Sequence, residues 1–150
     1  MWIGVKEIFI YEIDSLESAK MYYIFNEYVK CRECYDNITR IALGYLYHHP
    51  QEAELYTVCF GSWSAYDDGV FCQHCFFKSG DKIVDPTYYT LREHRSQSPK
   101  YTIYKEYALE EFVEIALKED EDDWSIRSII LNKLPHHMKM LRNMGYYTKE

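Results

Sequence analysis

Apolar and polar positions change period several times along the chain. Near the N-terminus they alternate: Ile3, Val5, Ile8 and Ile10 against Lys6, Glu7 and Glu12. This predicts a strand over residues 2–13, with room for a bulge. Ser15 then reads as an N-cap, with Ser18 three residues on, where a capping box would want Glu. The helix that follows runs to about Lys30, with Leu16, Met21, Ile24, Phe25 and Tyr28 on its apolar side. After a polar break at Cys31–Glu33, a second helix starts at Cys34 or Tyr35. Ile38, Ile41, Ala42, Tyr45 and Leu46 recur at helical spacing to about His48, and Pro50 stops it.

The middle of the chain is β-prone. Glu54–Trp63 reads as a strand. Gly61-Ser62 and Asp67-Asp68-Gly69 bracket a loop containing Trp63–Tyr66. A hairpin follows at about 70–78 and 81–85 and ends at Asp85-Pro86. Residues 86–102 are polar and weakly periodic, which predicts a long loop. Helices are expected at about 106–119, at about 123–133 (Trp124, Ile126, Ile129, Ile130 and Leu134 inward), and from Pro135 to about Asn143, with Gly145 as C-cap. Helices, then a β-meander, then helices predict an α+β fold in one domain over 1–150.

The hairpin carries the first chemistry. With Ser79-Gly80 as central turn residues, Phe76 faces Ile83 and His74 faces Asp85. Opposed residues share a face of the sheet, so a carboxylate there can fix the orientation of an imidazole. This is the His–Asp half of a nucleophilic triad.

Composition narrows the classes of function. The chain has 150 residues, of which 47% are apolar and 27% charged, as expected of one soluble globular domain. The 16 Tyr give it a half-polar aromatic surface or core edge. Net charge is −7, with acid concentrated in Glu106–Asp123, especially the run Lys118–Asp123, which reads as a solvated loop and helix start. No basic stripe exists, which argues against a nucleic-acid partner. No apolar segment reaches the roughly 20 residues of a membrane span, and the N-terminus lacks signal-peptide character. The expected location is cytoplasmic, and the five cysteines are expected as thiols.

Cys34 is the best-placed nucleophile. At a helix start its thiolate lies in the positive end of the helix dipole, and the unsatisfied first-turn N–H groups can hold an oxyanion. Asn26, Trp2 and Gln73 are further oxyanion candidates, and Asn37 reads as a capping residue on the first turn. Cys72 shares a strand face with His74 and is a second possible thiol. Cys59 reads as core.

Cys34-Tyr35-Asp36-Asn37-Ile38, the aromatic strand ending in Phe60-Gly61-Ser62, His74-Cys75-Phe76 and Val84-Asp85-Pro86-Thr87 together resemble the transglutaminase-like branch of the papain-like thiol enzymes. Cys75-Phe76 stands where that branch usually has Ala-Trp. The resemblance covers about residues 31–88. It implies a Cys34–His74–Asp85 triad, a central antiparallel sheet with the nucleophile helix packed on it, and a helical C-terminal part over about 106–144. The implied activity is acyl transfer from a peptide, protein or small amide or ester, without a cofactor.

The alternative is a non-catalytic protein-interaction module, with or without structural zinc, that uses the Tyr-rich, acidic surface as its contact region. Cys31-Arg32-Glu33-Cys34 and Cys72-Gln73-His74-Cys75 are two C-x2-C pairs that would supply Cys31, Cys34, Cys72 and Cys75. Against the zinc site, Cys72 and Cys75 lie on an apparently continuous strand, where their side chains point to opposite faces.

Overall fold

The computed structural model describes residues 8–31, 33–91, 94–118 and 137–149. The elements are β1 (Tyr11–Glu12), α1 (Ser15–Phe25), α2 (Cys34–His48), α3 (Pro50–Ala53), β2 (Thr57–Tyr66), β3 (Val70–Ser79), β4 (Lys82–Val84), β5 (Arg95–Ala108), α4 (Leu109–Lys118), α5 (137–143) and β6 (Tyr147–Lys149). Short 3-10 turns occupy Asn26–Tyr28 and Pro86–Thr90. The fold is α+β with a mixed central sheet. Its order is β1-β5-β2-β3-β4, antiparallel throughout, and β6 adds to β3 in parallel. Among the described residues no helix is long and apolar enough to cross a membrane.

The sheet curls until its first and last strands touch. Ile13 bridges Ile83, and the Asp14 N–H donates to the Ile83 carbonyl at 2.7 Å. The curl divides the core in two. The inner face holds Cys59, Phe76, Ile83 and Tyr101, flanked by Tyr11, Ile13, Trp63 and Ile103. The outer face packs Val58, Phe60, Cys75, Phe77 and Val84 against Met21 and Phe25 of α1, Ile38, Ile41, Ala42 and Tyr45 of α2, and Phe112 of α4. Strand alternation sends neighbouring residues to opposite sides, so β2 and β3 bury both faces and read as nearly continuous apolar runs.

Several expected boundaries move. Asp14, not Ser15, caps α1: its Oδ1 accepts the Glu17 N–H at 3.1 Å. With the cap moved back one residue, the N3 position is Glu17, the residue a capping box wants. Leu16, Ile24 and Tyr28 are mostly exposed, because α1 is covered only on its Ser18, Met21 and Phe25 side. α2 runs from Cys34 to His48 as expected, with Ile38, Ile41, Ala42 and Tyr45 buried and Leu46 half-buried. The expected N-terminal strand is reduced to Tyr11–Glu12; its residues 2–7 lie outside the described residues. So do the helix expected at 123–133 and most of the acidic run. Gly145 does cap α5. It has φ +97°, its N–H donates to Arg142 O, and the Tyr146 N–H donates to Leu141 O, the paired bonds of a Schellman motif.

The long loop expected over 86–102 is the largest error. Residues Arg95–Ala108 form β5, between β1 and β2. Pro99 lies within this strand. It sits where the β2–β5 register shifts between the Ser64–Lys100 and Tyr66–Arg95 pairs, so its missing N–H falls at an irregularity. Likewise Gly61-Ser62 does not end β2, which continues to Tyr66. Gly61 marks a second register shift, between Phe60 and Gly61, where β5 passes so close that a Cβ would lie 1.9 Å from the Thr102 carbonyl oxygen. Glycine is required there by close backbone approach.

Gly61→Ala should therefore lower unfolding stability by about 3 kcal/mol or more. Gly69→Ala, at a turn with φ +69° and nothing within 4 Å of the added methyl, should cost only about 1–2 kcal/mol of backbone strain. Urea melts of the two variants check this, and equal losses would contradict it.

Candidate active site

The β3–β4 turn is Gly80-Asp81, with Gly80 at φ +62°. The register pairs Phe77 with Val84, Lys78 with Ile83 and Ser79 with Lys82. The turn thus lies one residue later than expected, and the pairing slips by two. His74 does not face Asp85 directly. A slip of two preserves the face, however, so both side chains still point to the inner side. There His74 Nε2 and Asp85 Oδ2 lie 2.8 Å apart, with His74 5% exposed and Asp85 0%.

Asp85 is held from several directions. Its Oδ1 accepts the Thr87 N–H at 3.2 Å, its Oδ2 accepts the Tyr101 hydroxyl at 2.8 Å, and its own N–H donates to Ser18 Oγ at 2.9 Å. A buried carboxylate needs such donors, because its desolvation is otherwise prohibitive. Trp63 stacks on His74 with ring centroids 3.7 Å apart and planes 8° apart. The indole covers one face of the imidazole and keeps water from the His74–Asp85 bond. The sheet register explains the placement: Trp63 pairs with Tyr101 on β5 and with Cys72 on β3, next on its face to His74.

Cys34 reaches the same imidazole from outside the sheet. The outer edge of β3 pairs with β6 at Val70–Cys72 and with β4 at Phe77–Ser79. Between them lies a gap at Gln73–Phe76, and the first residue of α2 is seated there. The thiol is coupled to His74 by a hydrogen bond and by charge, and the Cys75 backbone also hydrogen-bonds to the sulfur. With Nε2 on Asp85, Nδ1 is the ring nitrogen left for the thiol.

The electrostatics follow. Burial pushes the Cys34 thiol up, but the His74 hydrogen bond, the His74 charge and the Cys75 backbone together bring it below its ordinary value. Burial pushes the His74 imidazole down, but the Asp85 charge, the Asp85 hydrogen bond and the Cys34 thiol outweigh it and raise it to about 9. Opposite shifts favour a thiolate–imidazolium pair, the reactive form of a cysteine nucleophile.

Asn37 does more than the capping role expected of it. It is fully buried; its Oδ1 accepts the Lys30 N–H at 2.9 Å, and its Nδ2 donates to Lys30 O at 2.7 Å and to Thr87 Oγ1 at 3.3 Å. It ties the segment before Cys34 to the turn that carries Asp85. Glu33, at the N-cap of α2, makes no side-chain capping bond, which leaves the first-turn N–H groups without that partner.

A cavity of about 420 Å³ opens onto Cys34 and His74, lined also by Trp63, Ala65, Tyr66 and Leu91. The short Asp67–Gly69 turn borders it, and Trp63–Tyr66, expected in a loop, form the end of β2 instead. Of the oxyanion candidates, Gln73 lines the cavity, Asn26 lies in the 3-10 turn away from it, and Trp2 is outside the described residues. Cys72 also lines the cavity, whereas Cys59 is buried in the inner core and pushed up to about 12, chiefly by burial.

Of the four cysteines of the zinc alternative, Cys31, Cys34 and Cys72 line the same cavity, but Cys75 is turned away from it into the outer core. Cys31 is exposed, and Cys72 and Cys75 lie on the unbroken strand β3, with Cys75 in the outer core. Among the described residues no three His, Cys, Asp or Glu side chains form a metal-binding group. Sequence reasoning missed Trp63, Tyr101 and Ser18, whose roles depend on pairing with distant strands. Comparison of the chain with protein-family models, curated proteins and solved structures finds no match.

Asp85→Asn removes the charge that most raises His74 and leaves the lowering effect of burial in place. The Cys34 thiol still raises the ring, so the His74 titration followed by NMR should fall well below about 9 without losing that contribution. An unmoved titration would mean that Asp85 does not govern the ring.

Proposed function

We propose that the protein is a thiol-dependent acyl-transfer enzyme of papain-like, transglutaminase-like architecture. Its catalytic residues are Cys34, His74 and Asp85, and its substrate is an amide or ester of a peptide, protein or small molecule. The observation that carries this reading is the chain from a half-buried thiol to a buried imidazole and carboxylate, with thiol and imidazole both lining a cavity. A buried His–Asp pair can be structural. A low-lying thiol on the other ring nitrogen, at the head of a helix and at the base of a cavity, is an arrangement for chemistry.

In this reading the Cys34 thiolate attacks the carbonyl carbon, and the carbonyl π pair moves to oxygen. N–H groups of the first turn of α2 stabilise that oxyanion. As the intermediate collapses, the bond to the leaving nitrogen or oxygen breaks, and His74 Nδ1–H supplies the proton that group needs. The product is a thioester on Cys34 and a neutral His74. Water or an amine then gives its proton to His74 and attacks the thioester carbonyl. Collapse expels the Cys34 thiolate, and the thiolate–imidazolium pair is restored. Asp85 gives up no proton; it orients the ring and stabilises its charged form.

Incubation with an activated aryl ester should give a single acyl adduct on Cys34, seen by intact mass and peptide mapping. Cys34→Ala should give none while keeping its fold, and Asp85→Asn should slow adduct formation by about 10⁴-fold. An adduct of equal yield in Cys34→Ala would end the proposal.

A further inference from the structure

We infer that Tyr101 is a positioning residue that tempers the catalytic base: its hydroxyl shares Asp85 Oδ2 with His74 Nε2 and so limits how tightly the carboxylate holds the imidazolium. The inference rests on the acyl-transfer reading and assigns a role to a residue outside its triad.

The geometry is specific. Tyr101 Oη and His74 Nε2 each lie 2.8 Å from the same carboxylate oxygen. Tyr101 and Asp85 are both 0% exposed. Packing does not require the hydroxyl. The ring lies in the inner core at 4.9 Å from Phe76 and 6.0 Å from Trp63, contacts a phenylalanine would make equally well. The hydroxyl adds one bond to one oxygen. Burial, the Asp85 charge and the Asp85 hydrogen bond all keep the phenol protonated, so it donates throughout the working pH range.

The chemistry gives that bond a purpose. A buried carboxylate facing an imidazolium alone would bind the ring proton too firmly. His74 must surrender a proton to the leaving group in one half of the cycle and accept one in the other. A second donor on the shared oxygen spreads the carboxylate charge, weakens its pull on His74, and keeps the ring able to work in both directions. Thr87 satisfies the other oxygen, so the Tyr101 bond acts on the His74 side of the carboxylate.

The test uses two changes of donor strength at one position, Tyr101→Phe and 3-fluorotyrosine at position 101. His74 is followed by NMR titration and assigned with His74→Gln. Loss of the hydroxyl should raise the His74 titration by about one pH unit. The stronger fluorinated donor should lower it. kcat for ester turnover should fall in Tyr101→Phe with KM unchanged. An unmoved titration in both proteins, or a fall in Tyr101→Phe, overturns the inference. If Tyr101→Phe does not fold, the fluorotyrosine protein decides alone. A titration that moves as expected with no acyl adduct on Cys34 leaves the Tyr101–Asp85–His74 coupling standing but removes the acyl-transfer reading and, with it, the catalytic purpose of that coupling. An adduct with an unmoved titration does the reverse.

Discussion

One carboxylate, buried where no water reaches it, constrains the rest of the molecule. Asp85 is tolerable in the interior only because donors converge on it: the His74 ring, the Tyr101 hydroxyl and the Thr87 amide. Each donor comes from a different part of the chain, on β3, on β5 and in the turn after β4. Ser18 of α1 accepts the Asp85 backbone N–H. Folding must bring all four segments together before the charge is stable, and once it does, the imidazole has a single orientation left.

The curled sheet makes that convergence possible. Register shifts at Gly61 and near Pro99 bend β5 against β2, and the first and last strands meet at Ile13 and Ile83. The inner face collects His74, Trp63, Phe76 and Tyr101 in one aromatic stack. The outer face is where α2 packs. Cys34 joins the two because β4 and β6 leave part of the β3 edge open between them. The helix start supplies the thiol and the N–H groups beside it. Asn37, one turn later, ties that start to the Asp85 turn, so Cys34 and His74 are positioned by one hydrogen-bonded frame.

What could be read from the sequence was what depends on local pattern. α2 was legible because Ile38, Ile41, Ala42 and Tyr45 keep helical spacing over about two turns of a single buried face. The pairing of His74 with Asp85 was legible despite a wrong turn assignment, because side chains alternate with a period of two and the error was a slip of two. β5 was not legible. Its polar residues face solvent or a polar ladder such as Ser62–Thr102–His137, and its proline falls at an irregularity that only the partner strand defines. Trp63 and Tyr101 were missed for the same reason, since nothing near either residue in the chain indicates that His74 or Asp85 will lie against it. Gly61 looked like a strand end, because a glycine demanded by a neighbouring backbone has the same local signature as one demanded by a turn.

The central claim is that Cys34 and His74 form an ion pair at neutral pH. The most direct measurement is the rate of Cys34 carbamidomethylation by iodoacetamide as a function of pH, resolved by peptide mass. Fast alkylation that persists well below the ordinary thiol value of 9.0, and collapses in His74→Ala, is the predicted result. A rate that rises only near 9, and does so equally with and without the imidazole, would contradict the account.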